Sequence, residues 1–226
     1  MRRRRITIVT GVAVAAVACI AAATWYLALP RWRPELRPGE RYGIDVASHQ
    51  GQIDWPAVAA DHIGFAYVKA TEGGDFVDGR FAYNWREAGR SGIDRGAYHF
   101  FTLCTPGAAQ AENFLRVIPP TTASLAPAVD FELAGNCTRR PDDDAVRRQV
   151  QVFIDRVEQA WRRPVVLYVG DDWEARYPIR RRIGRPLWQR RILRRPDIPG
   201  WTMWQASGKA HVEGVPGLVD LDVERP

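Results

Sequence analysis

Eight short apolar runs, separated by helical or turn segments, follow one another through residues 42–224: YGIDVA, GFAYVKA, RGAYHFF, APAVDFE, PVVLYVG, PLWQRR, WTMWQAS and LVDLDVE. Strand alternating with helix implies parallel pairing through crossovers, and eight strands suggest a closed barrel. Residues 41–226 are fewer than the roughly 250 of a full (β/α)₈ barrel, and the late runs lie too close together for regular helices. The expectation is an α/β fold: a trimmed TIM-like β/α barrel with eight strands, fewer than eight helices, and the helices missing from its last third. Among the connections, Asp54 is a candidate cap for a helix with Pro56 near its start, and Thr105 for one with Pro106 in its first turn. The clearest helix runs from about Asp142 to Arg162, where Val146, Val150, Ile154, Val157 and Trp161 form one apolar stripe.

The N-terminus reads differently. Four arginines after Met1 precede ITIVTGVAVAAVACIAAATWYLAL, 24 residues without a charge. At about 1.5 Å per residue this run spans a hydrocarbon core, and the arginines favour a cytoplasmic N-terminus. A cleaved signal peptide competes with an uncleaved anchor, with AAA at 21–23 as the small-residue site. The run continues into Trp25, Tyr26 and Leu27, which favours the N-terminal transmembrane helix. Either way the body lies outside the cytoplasm, in the cell envelope or secreted. The expected organisation is 1–29 Arg cluster and anchor, 30–40 a stiff, exposed Pro/Arg linker, and 41–226 the barrel. Residues 1–40 hold seven arginines against two glutamates, so five of the six net positive charges lie there. The body is nearly neutral and is expected to bind no nucleic acid. The runs Arg180 to Arg182 and Arg190 to Arg195 read as a solvated face, or as a contact for an anionic polymer or lipid surface.

Within APAVDFE, Asp130 and Glu132 stand two positions apart, so in a strand both project from one face. Two carboxylates in an apolar strand are costly unless partners are present or one keeps its proton. They are either a structural ion pair with arginines or an acid pair tuned for catalysis. Asp45 in the first run and Asp220 and Asp222 in the last add to them, because closure of a barrel makes its first and last strands neighbours. Tyr98, His99, Tyr168, Trp204 and Gln205 end other strands and supply aromatic walls and hydrogen-bond groups suited to a sugar ring.

These residues resemble the glycoside hydrolase family 25 lysozymes, the Chalaropsis-type N-acetylmuramidases. The matching pieces are YGIDVASHQGQIDW, FAYVKATEG, FVDGRFAYNWREAGRSGIDRGAYHFF, APAVDFE, PVVLYVG, WTMWQAS and GLVDLDV, in the family's order across residues 42–223. The resemblance implies hydrolysis of the β-1,4 bond between N-acetylmuramic acid and N-acetylglucosamine in peptidoglycan, for wall turnover or lysis. It implies Glu132 as general acid/base, Asp130 as the carboxylate that assists the reacting sugar, and Asp45 and Asp220 as further acids of the cup. Tyr98, Tyr168, Trp204 and Gln205, with Lys69 and Glu72 of FAYVKATEG, are the expected substrate-binding residues. Ala47 replaces a frequent serine, Asp222 stands where asparagine is usual, and LWQRR replaces a more apolar sixth strand.

Cys104 follows the third strand and Cys137 the fourth, so both fall in loops at the catalytic end and are expected to pair outside the cytoplasm. No cofactor and no metal is expected. The partners are peptidoglycan glycan strands and, through the N-terminal helix, the membrane; the barrel is expected to be a monomer. Two rival readings remain at this level: a metal-dependent hydrolase with His49 and His99 among its ligands, and a non-catalytic peptidoglycan-binding barrel. Trp55, Trp85 and Trp161 are expected to be core residues.

Overall fold

The computed structural model describes residues 23–120 and 125–226, with Ala16, Val17 and Cys19. The strands are β1 Arg41–Val46, β2 Ile63–Glu72, β3 Phe76–Val77, β4 Asp94–Phe100, β5 Ala128–Phe131, β6 Val166–Val169, β7 Leu187–Arg190, β8 Trp201–Ala210 and β9 Val219–Glu224. The helices are α1 Trp55–Ala60, α2 Phe81–Arg90, α3 Gly107–Val117, α4 Asp143–Trp161, α5 Asp171–Arg176 and α6 Arg180–Ile183. Apart from the two-residue β3, each strand coincides with one of the eight apolar runs. The sheet order is β1-β9-β8-β7-β6-β5-β4-β2, and a β1–β2 pairing closes it into a barrel. No described helix lies between β7 and β8 or between β8 and β9.

The last strand departs from the expected parallel arrangement. β9 runs antiparallel to both β1 and β8. Eight residues separate β8 from β9, enough for a hairpin and too few for the crossover of a dozen or more that a parallel return needs.

Alternation along each strand sorts residues into two cores. On β2, Phe65 and Tyr67 point into the barrel with Ala128, Val166, Tyr168, Trp188 and Met203. Ala66, Val68 and Ala70 face outward beneath the helices. Gly43 and Gly96 make room for the inner rings, since a Cβ on either would lie 2.3 Å from Phe65 or Tyr67. Helix α4 buries the predicted stripe of Val146, Val150, Ile154, Val157 and Trp161, with Phe153 added. Asp54 caps α1 through Ala57 N. Thr105 does not cap α3: Pro106 occupies the N-cap, and Gln149 Oε1 takes the free Gly107 N–H at 2.8 Å.

Residues 30–40 are not an exposed linker. Trp32 and Leu36 pack on Trp201, Trp204, Ala206 and Val223, Arg33 pairs with Asp61 and Glu40 with Arg195, and Pro34 O accepts from Tyr42 Oη. The segment is a strap that covers the outer face of β8 and β9, where no described helix does. Its two apolar side chains, hidden among prolines and arginines, have a water-excluded place to go on a wall that lacks helices. Most of the apolar run at 6–29 lies outside the described residues. Among those described, no helix is long and apolar enough to cross a membrane.

Candidate active site

The C-terminal ends of the parallel strands share one rim, and β9 begins there because it runs the other way. A cavity of about 340 Å³ opens at this rim. Asp45, Asp130, Glu132 and Asp220 all line it. Period-two alternation accounts for this: Asp130 and Glu132 fall in phase with inward Ala128, while Val129 and Phe131 point to the outer core. Asp45 and Asp220 are register partners across β1 and β9. The acids assemble as expected, although Asp220 arrives from the start of a strand rather than its end.

Hydrogen bonds link them. Gln205 Nε2 donates to Asp45 Oδ2 at 3.1 Å. Tyr168 Oη lies 3.2 Å from Gln205 Oε1 and 3.4 Å from Glu132 Oε1. The phenol has one proton for two acceptors, and a protonated Glu132 relieves the shortage by donating to the phenol oxygen. Below them Asp222 is fully buried, with Trp188 Nε1 donating to its Oδ1 at 2.8 Å. Among the described residues, no donor reaches Asp222 Oδ2.

Burial is the main reason these groups hold protons. It pushes Asp45 well above the usual carboxylate range, and the charge of Asp220 adds to this, against the hydrogen bond from Gln205. Asp130 is raised well by burial and then by Glu132, with Lys69 opposing. Glu132 is raised by burial and by Asp172, against Arg190 and the Tyr168 hydrogen bond. Asp220 rises to about 6 through burial, with Arg190 pulling it down and Glu132 pushing it up. The cup therefore holds its protons to higher pH than free carboxyls would, and those protons belong to the group rather than to single residues.

The matches to known proteins agree with this geometry. Residues 44–215 match the model of glycosyl hydrolases family 25. The chain belongs to this family. It is similar to a family 25 glycosyl hydrolase of Bacillus anthracis, 32% identical with a TM-score of 0.77 over 85% of this chain and 92% of that one. It is also similar to a bacterial lysozyme of Streptomyces coelicolor, 30% identical with a TM-score of 0.69 over 82% of this chain and 92% of that one. By sequence it is 31% identical to Lysozyme M1 of Streptomyces globisporus, over 79% of this chain and 65% of that protein.

As a family 25 glycoside hydrolase, the protein presents most of its expected binding residues to the cavity and withholds others. Tyr98, Tyr168, Gln205 and Lys69 line it. Trp204 does not: it faces the strap, where its Nε1 donates to Arg191 O at 2.7 Å. Neighbours on a strand point to opposite faces, and Gln205 holds the inward one. Glu72 lies outside the lining and pairs at 2.6 Å with Lys69 Nζ, which sits 5.0 Å from the Phe100 ring centre. His99 is likewise on the outer side, stacked on Phe153 of α4 at 4.9 Å, while Tyr98 takes the inward position. His49 is at the rim beside Ala47. Cys104 and Cys137 form the expected disulfide between the loops after β4 and β5. Among the described residues, no group of three or more His, Cys, Asp or Glu is placed to hold a metal ion.

The sequence reading missed the contribution of β7 to the lining. Trp188 and Arg190 both border the cavity from β7. The signal was present in LWQRR, because alternation that turns Trp188 inward also turns Arg190 inward.

Proposed function

We propose that this protein is an N-acetylmuramidase that cleaves the β-1,4 bond between N-acetylmuramic acid and N-acetylglucosamine in peptidoglycan. The observation that carries the reading is the convergence of Asp45, Asp130, Glu132 and Asp220 on one cavity with raised proton affinity, in a family 25 barrel. Glu132 lines the mouth of the cavity with its proton affinity raised by burial and by the charge of Asp172, which suits a general acid. It gives that proton to the glycosidic oxygen as the C–O bond breaks. The 2-acetamido carbonyl oxygen of the same sugar closes on the anomeric carbon, Asp130 orients the acetamido N–H, and Asp45 and Asp220 stabilise the positive charge that develops. Water then opens the ring intermediate and returns a proton to Glu132, with net retention. An inverted first product by NMR would reject this route.

The whole cup comes from one chain, which supports a monomeric enzyme. The uncharged run at 6–29 behind four arginines supports a single-pass anchor with the barrel in the cell envelope; recovery of the full-length protein in the soluble fraction would contradict it. The activity is tested by digesting purified peptidoglycan and analysing the new reducing ends by mass. Muramic acid at those ends is the expected result, and N-acetylglucosamine there, or no cleavage, overturns the reading.

A further inference from the structure

The cavity contains a cation that the acid chemistry does not require. Lys69 is already held by Glu72 at 2.6 Å, whereas Arg190 makes no ion pair and its guanidinium donates no hydrogen bond among the described residues, although it lines the cavity and is exposed. It projects from the end of β7, register partner to Gln205 on β8. Gly208 on β8 leaves the approach open: a Cβ there would meet Asp220 Oδ1 at 3.3 Å and Arg190 Nη2 at 3.9 Å. The guanidinium and the last-strand acid thus border the same opening without touching. An arginine with free donors beside several acids could have been drawn into a bidentate pair and was not, so its fork remains available to an arriving anion.

We infer that Arg190 is a specificity residue that binds a carboxylate carried by the muramoyl unit of the substrate. This rests on the muramidase reading. An acidic cup repels an anionic sugar, yet the muramic residue differs from N-acetylglucosamine in its 3-O-lactyl group, which ends in a carboxyl. In bare glycan that carboxylate is free; in peptide-bearing glycan it is amide-linked and the stem supplies carboxylates instead. A guanidinium at the rim offsets the repulsion and reads the group that distinguishes the two sugars.

The test compares kcat/KM of the full chain and of its Arg190→Gln and Arg190→Lys variants across pH on four substrates: peptide-bearing glycan, glycan stripped of peptides, and each of these with its carboxyls converted to methylamides. Arg190→Gln is expected to lose on the order of ten-fold on carboxylate-bearing glycan, mainly through KM, and several-fold less on the methylamides, with Arg190→Lys recovering part of the loss. A larger loss on stripped glycan assigns the lactyl carboxylate; a larger loss on peptide-bearing glycan assigns the stem. An equal loss on free and blocked substrates with a displaced pH profile would show that Arg190 acts only as a counter-charge to Glu132 and Asp220, and no loss at all would also overturn the inference. Failure of the wild-type chain to cleave any of the glycans would refute the muramidase reading instead.

Discussion

Two sets of polar side chains are buried on opposite faces of the barrel wall, and their surroundings treat them differently. On the outer face, His99 Nδ1 meets Thr71 Oγ1 at 2.7 Å and its Nε2 meets Gln110 Oε1 at 3.0 Å. Gln110 also receives Thr102 N–H and donates to the carbonyls of Thr102 and Thr105. Every arm of that network is used, and it ties α3 to the barrel wall. On the inner face, Asp130 Oδ1 and Asp222 Oδ2 are buried with no donor. A satisfied polar network supports the fold, while an unsatisfied one stores unfavourable free energy that catalysis uses.

Substitutions should separate the two faces. The largest effect is expected from Glu132→Gln, which should lower kcat by about 10²–10⁴-fold while leaving thermal stability equal or higher; lost stability alongside lost activity would place Glu132 in the supporting class. Next, Gln110→Ala should cost about 3 kcal/mol in denaturant unfolding, since it leaves several buried groups without partners. Trp32→Ala in the strap should cost about 2 kcal/mol with little change in kcat, and a loss of activity at full stability would mean that the strap reaches the mouth. The smallest effect concerns pH. Asp220 has a folded value of about 6 against an ordinary 3.8, so the folded state binds its proton more tightly than the unfolded chain does. Its contribution to stability is therefore most favourable below the ordinary value, falls as pH rises towards about 6, and stays lost above it. Asp222 carries the same sign. Asp222→Asn should stabilise the protein by about 1 kcal/mol at neutral pH and flatten the melting temperature against pH, while a drop in neutral-pH stability would show that its charge is welcome where it sits.

The same comparison explains what could be read from the chain. The eight runs gave the strands, and strand periodicity together with barrel closure was enough to bring Asp45, Asp130, Glu132 and Asp220 together. Alternation also contradicted two expectations before any coordinates: Trp204 cannot share a face with Gln205, nor His99 with Tyr98. Other features depend on contacts distant in sequence. The strap needs Trp32 and Leu36 to find Trp201 and Trp204, and nothing local in a Pro/Arg stretch encodes that. The antiparallel β9 was legible only through the short span before it, and the position of Arg190 only through the inward phase of Trp188.

The most direct measurement is a ¹³C NMR titration of the Asp and Glu side-chain carboxyls in the folded chain. The account predicts that Asp220 titrates at about 6 and that Glu132 titrates above its ordinary range. If every carboxyl of the mouth instead titrated near the ordinary carboxylate value, the rim would hold no proton to deliver and the proposed chemistry would fail.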